Sequence, residues 1–245
     1  MTHGTTDWGN IRRADTLYTT DDIAELAVRL GSPVTIDRRG NVICFDTFSR
    51  VTYETPNFYG PLYPFWYRDF NHVIYGDSSL HLVIPADPTY ARCSVYRDFP
   101  LITTYNIGVA WSLFLNEFPN PVEFWGTYYT GTHALDFGIR YYPTTGVLQY
   151  YDAVTGWTNF GTLFYNLSSN TVEPMFIKLV INPVTGYYVR FIIANQEFDL
   201  STKKYLTPVG AQLQPMIRST LTLYPNPGSI VHCSLDCLIV STNEP

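Results

Sequence analysis

The sequence predicts an all-β protein, a two-sheet antiparallel jelly-roll sandwich over residues 41–245. An arm of residues 1–40 carrying one short helix precedes it. Three observations lead there. Aromatic residues reach 16% of the 245 while charged residues stop at 15%, which suits a thick apolar interior and is the reverse of a disordered chain. From residue 101 onward, short apolar alternations follow one another with little between them. Three links, Pro143-Thr-Thr-Gly146, Ala153-Val-Thr-Gly156 and Pro183-Val-Thr-Gly186, each end in a glycine free to take positive φ, as hairpin turns require. Strands joined this way must close into two packed sheets.

In chain order, the arm comes first. Asp21, Asp22 and Glu25 load the first turn of its helix, Ile23, Leu26, Ala27 and Leu30 form one apolar stripe, and Gly31 with Pro33 stops it. A short one-stripe helix must dock on something. Asn41–Phe48 and Ser79–Ile84 read as strands. The aromatic stretch Asn57–Phe70 between them, with its two prolines, reads as an ordered extended loop. The strands expected after it are Ile107–Glu117, His133–Tyr142, Val147–Asp152, Met175–Asn182, Tyr187–Ala194, Ile217–Tyr224 and Ser229–Ser241.

Length and charge exclude several roles. A chain of this size buries about 70% of its surface in one core. A net charge of −6 lacks the Lys/Arg excess that replaces phosphate counterions, so no nucleic-acid partner is expected. No apolar run approaches the ~20 residues of a membrane span, so no membrane partner is expected either. Met1-Thr-His-Gly-Thr-Thr-Asp-Trp8 has no basic or apolar region of a signal peptide. The expected location is therefore a virion surface or other extracellular assembly reached without one, or else the cytoplasm. Cys44, Cys93, Cys233 and Cys237 lack metal-ligand spacing and read as small buried hydrophobes, with a disulfide to Cys44 or Cys93 left open.

The sandwich opens with Arg38-Arg-Gly-Asn-Val-Ile-Cys-Phe-Asp-Thr-Phe48 and closes with Ser234-Leu-Asp-Cys-Leu-Ile-Val-Ser-Thr242. These two segments resemble the first and last strands of concanavalin A-like (laminin G-like) jelly rolls. The hairpin from Lys178 to Arg190, followed by Asn195-Gln-Glu-Phe-Asp199, resembles the central meander of that family. The resemblance spans residues 41–242 and implies that the first and last strands are neighbours. The arm resembles those that tether jelly-roll structural proteins of viruses and phages to a lattice.

Candidate chemistry is thin. The same fold hosts glucanases, whose carboxylates stand at alternate positions of one strand in a Glu-x-Asp-x-x-Glu pattern. That pattern is missing here. Glu117 and Glu123 are split by Phe-Pro-Asn-Pro, and Asp136, Asp152, Glu197 and Asp199 stand in unrelated contexts. No G-x-S-x-G elbow occurs. His3, His72, His81, His133 and His232 are scattered, without zinc spacing, and His81, His133 and His232, in strands, read as structural imidazoles. Asp46 and Asp236 approach each other if the end strands pair, which makes them the candidate calcium ligands, with capping hydrogen bonds as the competing role.

The aromatics are the most informative feature. In Tyr128-Tyr129, Tyr141-Tyr142, Tyr150-Tyr151 and Tyr187-Tyr188, alternation sends one ring of each pair away from the core. Tyr63, Phe65, Trp66, Tyr67, Trp125, Tyr128 and Trp157 are the candidate glycan or interface rings. Trp8, Arg12, Arg13, Tyr18, Ile23, Leu26 and Leu30 are the candidate assembly contacts of the arm. The leading expectation is a non-enzymatic structural protein displayed on a virion, a capsid-decoration protein. Its partners would be copies of itself and a lattice protein. A carbohydrate-binding lectin-like module is the alternative, and a glycoside hydrolase of the same fold the second.

Overall fold

Sixteen strands carry the computed structural model, and no helix occurs among the described residues. It describes residues 40–48, 57–59, 65–74, 77–86, 92–100, 105–115, 119–131, 133–163, 174–194, 196–205, 209–210, 214–225 and 228–245. The strands are β1 (Asn41–Asp46), β2 (Asn57–Tyr59), β3 (Phe65–Asp69), β4 (Ser79–Ile84), β5 (Arg92–Pro100), β6 (Ile107–Leu115), β7 (Val122–Tyr129) and β8 (His133–Tyr142). They continue as β9 (Val147–Asp152), β10 (Gly156–Thr162), β11 (Pro174–Asn182), β12 (Tyr187–Ile193), β13 (Gln196–Asp199), β14 (Val209–Gly210), β15 (Met216–Leu223) and β16 (Val231–Thr242). The expected helix at residues 21–30 lies outside the described residues.

Two eight-stranded sheets pack face to face. Sheet A runs β13-β12-β11-β6-β16-β4-β3 with β1 on β16, and sheet B runs β10-β9-β8-β7-β15-β5-β2 with β14 on β8. Every strand pairing is antiparallel. The first and last strands are neighbours, Asn41 opposite Thr242 and Asp46 opposite Leu238. One edge of β16 is shared end to end, by β4 over Val231–Leu235 and by β1 over Leu238–Thr242. The register against β6 shifts between Leu235 and Cys237, at that changeover. The turn glycines Gly146, Gly156 and Gly186 sit at φ of 72°, 73° and 74°, as the sequence requires.

Asn57–Phe70 is not one extended loop. It places β2 in sheet B and β3 in sheet A, and Pro61 and Pro64, which cannot donate to a ladder, fall between the two. The β-forming run Phe65-Trp-Tyr pairs with β4.

The core lies between the sheets. Ile107, Val109, Trp111, Leu113 and Leu115 of β6 alternate inward and meet Phe124, Phe137, Ile139, Ile217 and Leu221 of sheet B. Burying each such side chain stabilises by roughly 1.5–3 kcal/mol. One ring of every tandem Tyr pair is in this core, namely Tyr128, Tyr141, Tyr150 and Tyr188. Tyr188 crosses from sheet A to sheet B, its hydroxyl accepting from Gly138 N at 3.0 Å and donating to Tyr151 O at 2.9 Å. The four cysteines are free thiols, three buried and Cys44 half-buried.

The outer face of sheet A is also dry in its centre. Ala110, Phe176, Cys237 and Ile239 cluster there with Val42 and Phe45. Beside them the Glu244 carboxylate is buried against Lys178 Nζ at 2.7 Å and Arg190 Nη2 at 2.6 Å. The outer face of sheet B carries no such apolar cover among the described residues, and it is there that polar and aromatic groups meet solvent.

Candidate functional site on the outer face of sheet B

Register alone organises this face into three rows crossing the strands. Alternation sends Glu123, Trp125 and Thr127 of β7 outward, while Phe124 and Tyr128 point into the core. The first row joins Ser94, Thr222, Glu123, Arg140, Gln149 and Asn159 from β5 to β10. The second joins Tyr96, Thr220, Trp125 and Gly138 and continues with the Tyr151 and Trp157 rings. The third joins Asp98, Arg218, Thr127 and Asp136. An aromatic row thus lies between two polar ones. Six strands at about 4.8 Å spacing make a row roughly 24 Å long.

The aromatic row is built around a glycine. A Cβ at Gly138 would stand 2.4 Å from Trp125 Cε3 and 3.2 Å from Trp157 Cη2, so only glycine lets the two indoles settle over β8. Trp125, Tyr151 and Trp157 pack edge to face, with centroids 4.8, 5.7 and 5.3 Å apart, and each stays half-buried. The Arg140 guanidinium lies 4.1 Å over the Trp157 ring.

The first row holds the charged centre. Arg140 donates to Glu123 Oε1 through Nε at 2.8 Å and again through Nη2, and its Nη1 donates to the Tyr142 hydroxyl at 3.3 Å. The Tyr224 hydroxyl donates to Glu123 Oε2 at 3.2 Å. Burial first, and then the Glu123 charge, push the Tyr224 phenol above its ordinary range, although the contact with Arg92 works in the other direction. Tyr224 therefore keeps its proton at neutral pH. In the third row Arg218 grips both Asp98 oxygens at 2.7 Å and lies 4.6 Å over Tyr96, and Thr127 donates to Asp136 at 2.7 Å. The hydrogen bonds to Asp98 drive the Arg218 pKa up.

Of the rings expected to form a binding surface, the structure brings Trp125 and Trp157 together. Tyr128 is buried in the core because its parity on β7 is that of Phe124. Trp66 packs against the core, and Tyr67 is exposed on the other sheet. Phe65 is placed as a member of β3. Tyr63, Glu117 and the arm residues Trp8, Arg12, Arg13, Tyr18, Ile23, Leu26 and Leu30 lie outside the described residues.

Asp46 and Asp236 stand near the β1–β16 pairing, and each carboxylate accepts from a backbone N–H, Asp46 from Phe48 at 2.9 Å and Asp236 from Ile74 at 2.8 Å. Asp152 and Asp199 accept backbone N–H groups in turns, and Glu197 reaches Arg190 at 3.9 Å. Tyr151 is the outward ring of its tandem pair, as alternation predicts, whereas sequence reasoning missed Arg140, Tyr224, Arg218 and Gly138. For Gly138 and Arg140 the signal is alternation, Asp-x-Gly-x-Arg on β8 against Glu-x-Trp-x-Thr on β7, which becomes legible only with the register.

No family model and no curated protein matches this chain. Among solved structures, the endo-β-1,4-glucuronan lyase of the fungus Trichoderma reesei superposes with a TM-score of 0.57 at 12% identity, covering 82% of this chain and 96% of the lyase. A Bacillus licheniformis β-glucanase gives 0.46 at 10% identity, over 83% of this chain and 99% of that one. The carbohydrate recognition domain of Emp46p gives 0.45 at 9%, over 74% and 89%. The expectation of a non-enzymatic virion or capsid-decoration protein is corrected by this comparison. The finding that overturns it is the glucuronan lyase, which matches over 82% of this chain. The chain has the concanavalin A-like jelly-roll fold.

Proposed function

We propose that this protein is a polysaccharide-cleaving enzyme that takes a glycan across the strands of sheet B. The observation that carries this reading is the aromatic row Trp125–Tyr151–Trp157 flanked by two hydrogen-bonding rows. Sugar faces stack on aromatic rings while their hydroxyls need polar partners on both sides, and a row roughly 24 Å long accommodates several sugar residues.

Elimination suits the charged centre better than hydrolysis. A glycosidase needs two carboxyl groups about 5–9.5 Å apart. Glu123 and Asp136 sit on adjacent strands four residues out of register, about 14 Å apart by strand geometry, and each is held within its own row. The residues around Glu123 are instead two arginines and two tyrosines, a set suited to an acidic, uronate-containing polymer, the class of the glucuronan lyase that shares the fold. In this reading Glu123 takes the proton beside the uronate carboxylate. The bond to the glycosidic oxygen breaks, and Tyr224 gives its proton to that oxygen. The remaining electron pair becomes a carbon–carbon double bond, and the proton returns from Glu123 to Tyr224 along their contact. Arg140 positions Glu123 and stabilises its charge.

The test is product analysis on glucuronan, alginate and neutral β-glucan with wild type and Glu123→Gln. Unsaturated ends from an acidic polymer, lost in the variant, are expected. Reducing ends without unsaturation would replace elimination by hydrolysis. No cleavage of any polymer would overturn the enzymatic reading.

A further inference from the structure

Three of the chain's five histidines converge on the outer face of sheet A, on the opposite side of the sandwich from the glycan site. Asp69 ends β3, His72 follows in the next turn, His81 stands on β4, and His232 and Ser234 stand on β16. The register places Tyr67 and Ser234 on either side of His81. Asp69 Oδ2 contacts His72 Nδ1, accepts from Ser234 Oγ at 3.0 Å and lies 3.4 Å from His81 Nδ1. His81 Nδ1 is 2.6 Å from Ser234 Oγ, and its Nε2 is 3.1 Å from His232 Nδ1.

We infer that Asp69, His72 and His81 form a binding site for a divalent first-row transition ion, zinc being the probe, with Ser234 or a water as fourth ligand and His232 orienting His81. One ligand atom from each of the three lies within 4.8 Å of the others. An ion held at about 2.0–2.2 Å by N and O ligands puts those ligands ~3.3 Å apart in a tetrahedron, so only small side-chain shifts are needed. Two imidazoles and one carboxylate are a mixed donor set, which suits zinc and its neighbours and not calcium or magnesium, whose ligands are all oxygen. An ion on His81 Nδ1 takes the place of a proton there, and the remaining Nε2–H then donates to His232, the outer-shell bond that ligating histidines use to fix ring and tautomer.

The walls are apolar and close. Tyr67 stacks on His81 with centroids 4.6 Å apart, and Phe114 stands 5.6 Å from His72. Asp69 and His81 are buried, whereas the His72 side chain is 25% exposed, which leaves an entry path. A bound ion would tie β3, β4, the following turn and β16 together, a structural clamp outside the glycan site.

The experiment is a cobalt(II) titration of the chelator-stripped full chain, read by visible absorption, with zinc displacement and thermal melting alongside. One cobalt per chain with tetrahedral bands, displaced by zinc and not by calcium, is expected, together with a melting point raised by zinc. His72→Ala should weaken binding at least ~100-fold and lose the zinc-dependent rise in its own melting point, and His232→Leu should weaken binding about 10–100-fold. Absence of stoichiometric cobalt binding to wild type, or equal binding by His72→Ala, would overturn the assignment.

Discussion

Glu244→Gln tests the polar packing on sheet A. The Glu244 side chain is fully buried, with Lys178 at 2.7 Å and Arg190 at 2.6 Å, both cations also buried, and Ser241 donates to the same carboxylate. Glycine makes room for it, since a Cβ at Gly108 would stand 2.7 Å from Glu244 Oε1 and 2.9 Å from Lys178 Cε. Neutralising Glu244 removes the carboxylate that Lys178 and Arg190 share in a dry site, where Arg190 also donates to Pro245 O and lies 3.9 Å from Glu197. Breaking a buried pair from one side costs about 3–5 kcal/mol. At ~2–4 °C per kcal/mol for a domain of this size, the melting point should fall by about 6–20 °C. Lys178→Met should cost less, because Arg190 keeps its partner and an apolar side chain fills the space. Urea denaturation read by tryptophan fluorescence measures both. A loss under ~1 kcal/mol for Glu244→Gln would refute the reasoning, because it would mean the cations find water or another anion.

Three further predictions follow the same logic. Gly138→Ala should displace Trp125 and Trp157 and abolish glycan binding at a stability cost of about 1–3 kcal/mol, read by calorimetric titration beside a thermal melt. Asp69, held at about 2 against an ordinary 3.8, contributes stability that is fully present above pH 3.8 and lost as pH falls through about 2. Asp69→Asn should flatten that part of an acid denaturation curve. Burial, with Asp46 adding to it at Cys44, pushes that thiol to about 11, and burial pushes Cys93 to about 12 and Cys233 and Cys237 up as well. Native protein at pH 8 should therefore resist thiol reagents until unfolded, when all four react.

Strands with clear period-two alternation or glycine-closed turns were legible in the sequence. His133–Tyr142, Val147–Asp152 and Ser79–Ile84 match to the residue, and Tyr187 and Asn182 bound their hairpin as expected. Strands lacking those signals were not. β7 carries Gly126 amid aromatics, β10 is a half-exposed edge with Gly156 and Gly161, and β3 hides in a proline-flanked aromatic run. The site suffered for the same reason. Trp125 and Trp157 were singled out as rings, but their convergence depends on β8 and β9 lying between them. Asp69, His72, His81 and His232 come from three strands and a turn, so no spacing announces them.

The central claim, that a glycan lies across sheet B, is tested most directly by hydroxyl-radical footprinting with and without an acidic oligosaccharide. Oxidation of Trp125, Tyr151 and Trp157 should fall on binding, while Tyr67, 45% exposed on sheet A, and Tyr105, 62% exposed beside β6, should be unchanged. Protection of Tyr67 with Trp157 and Tyr151 unaffected would contradict the account and move the glycan to the opposite face.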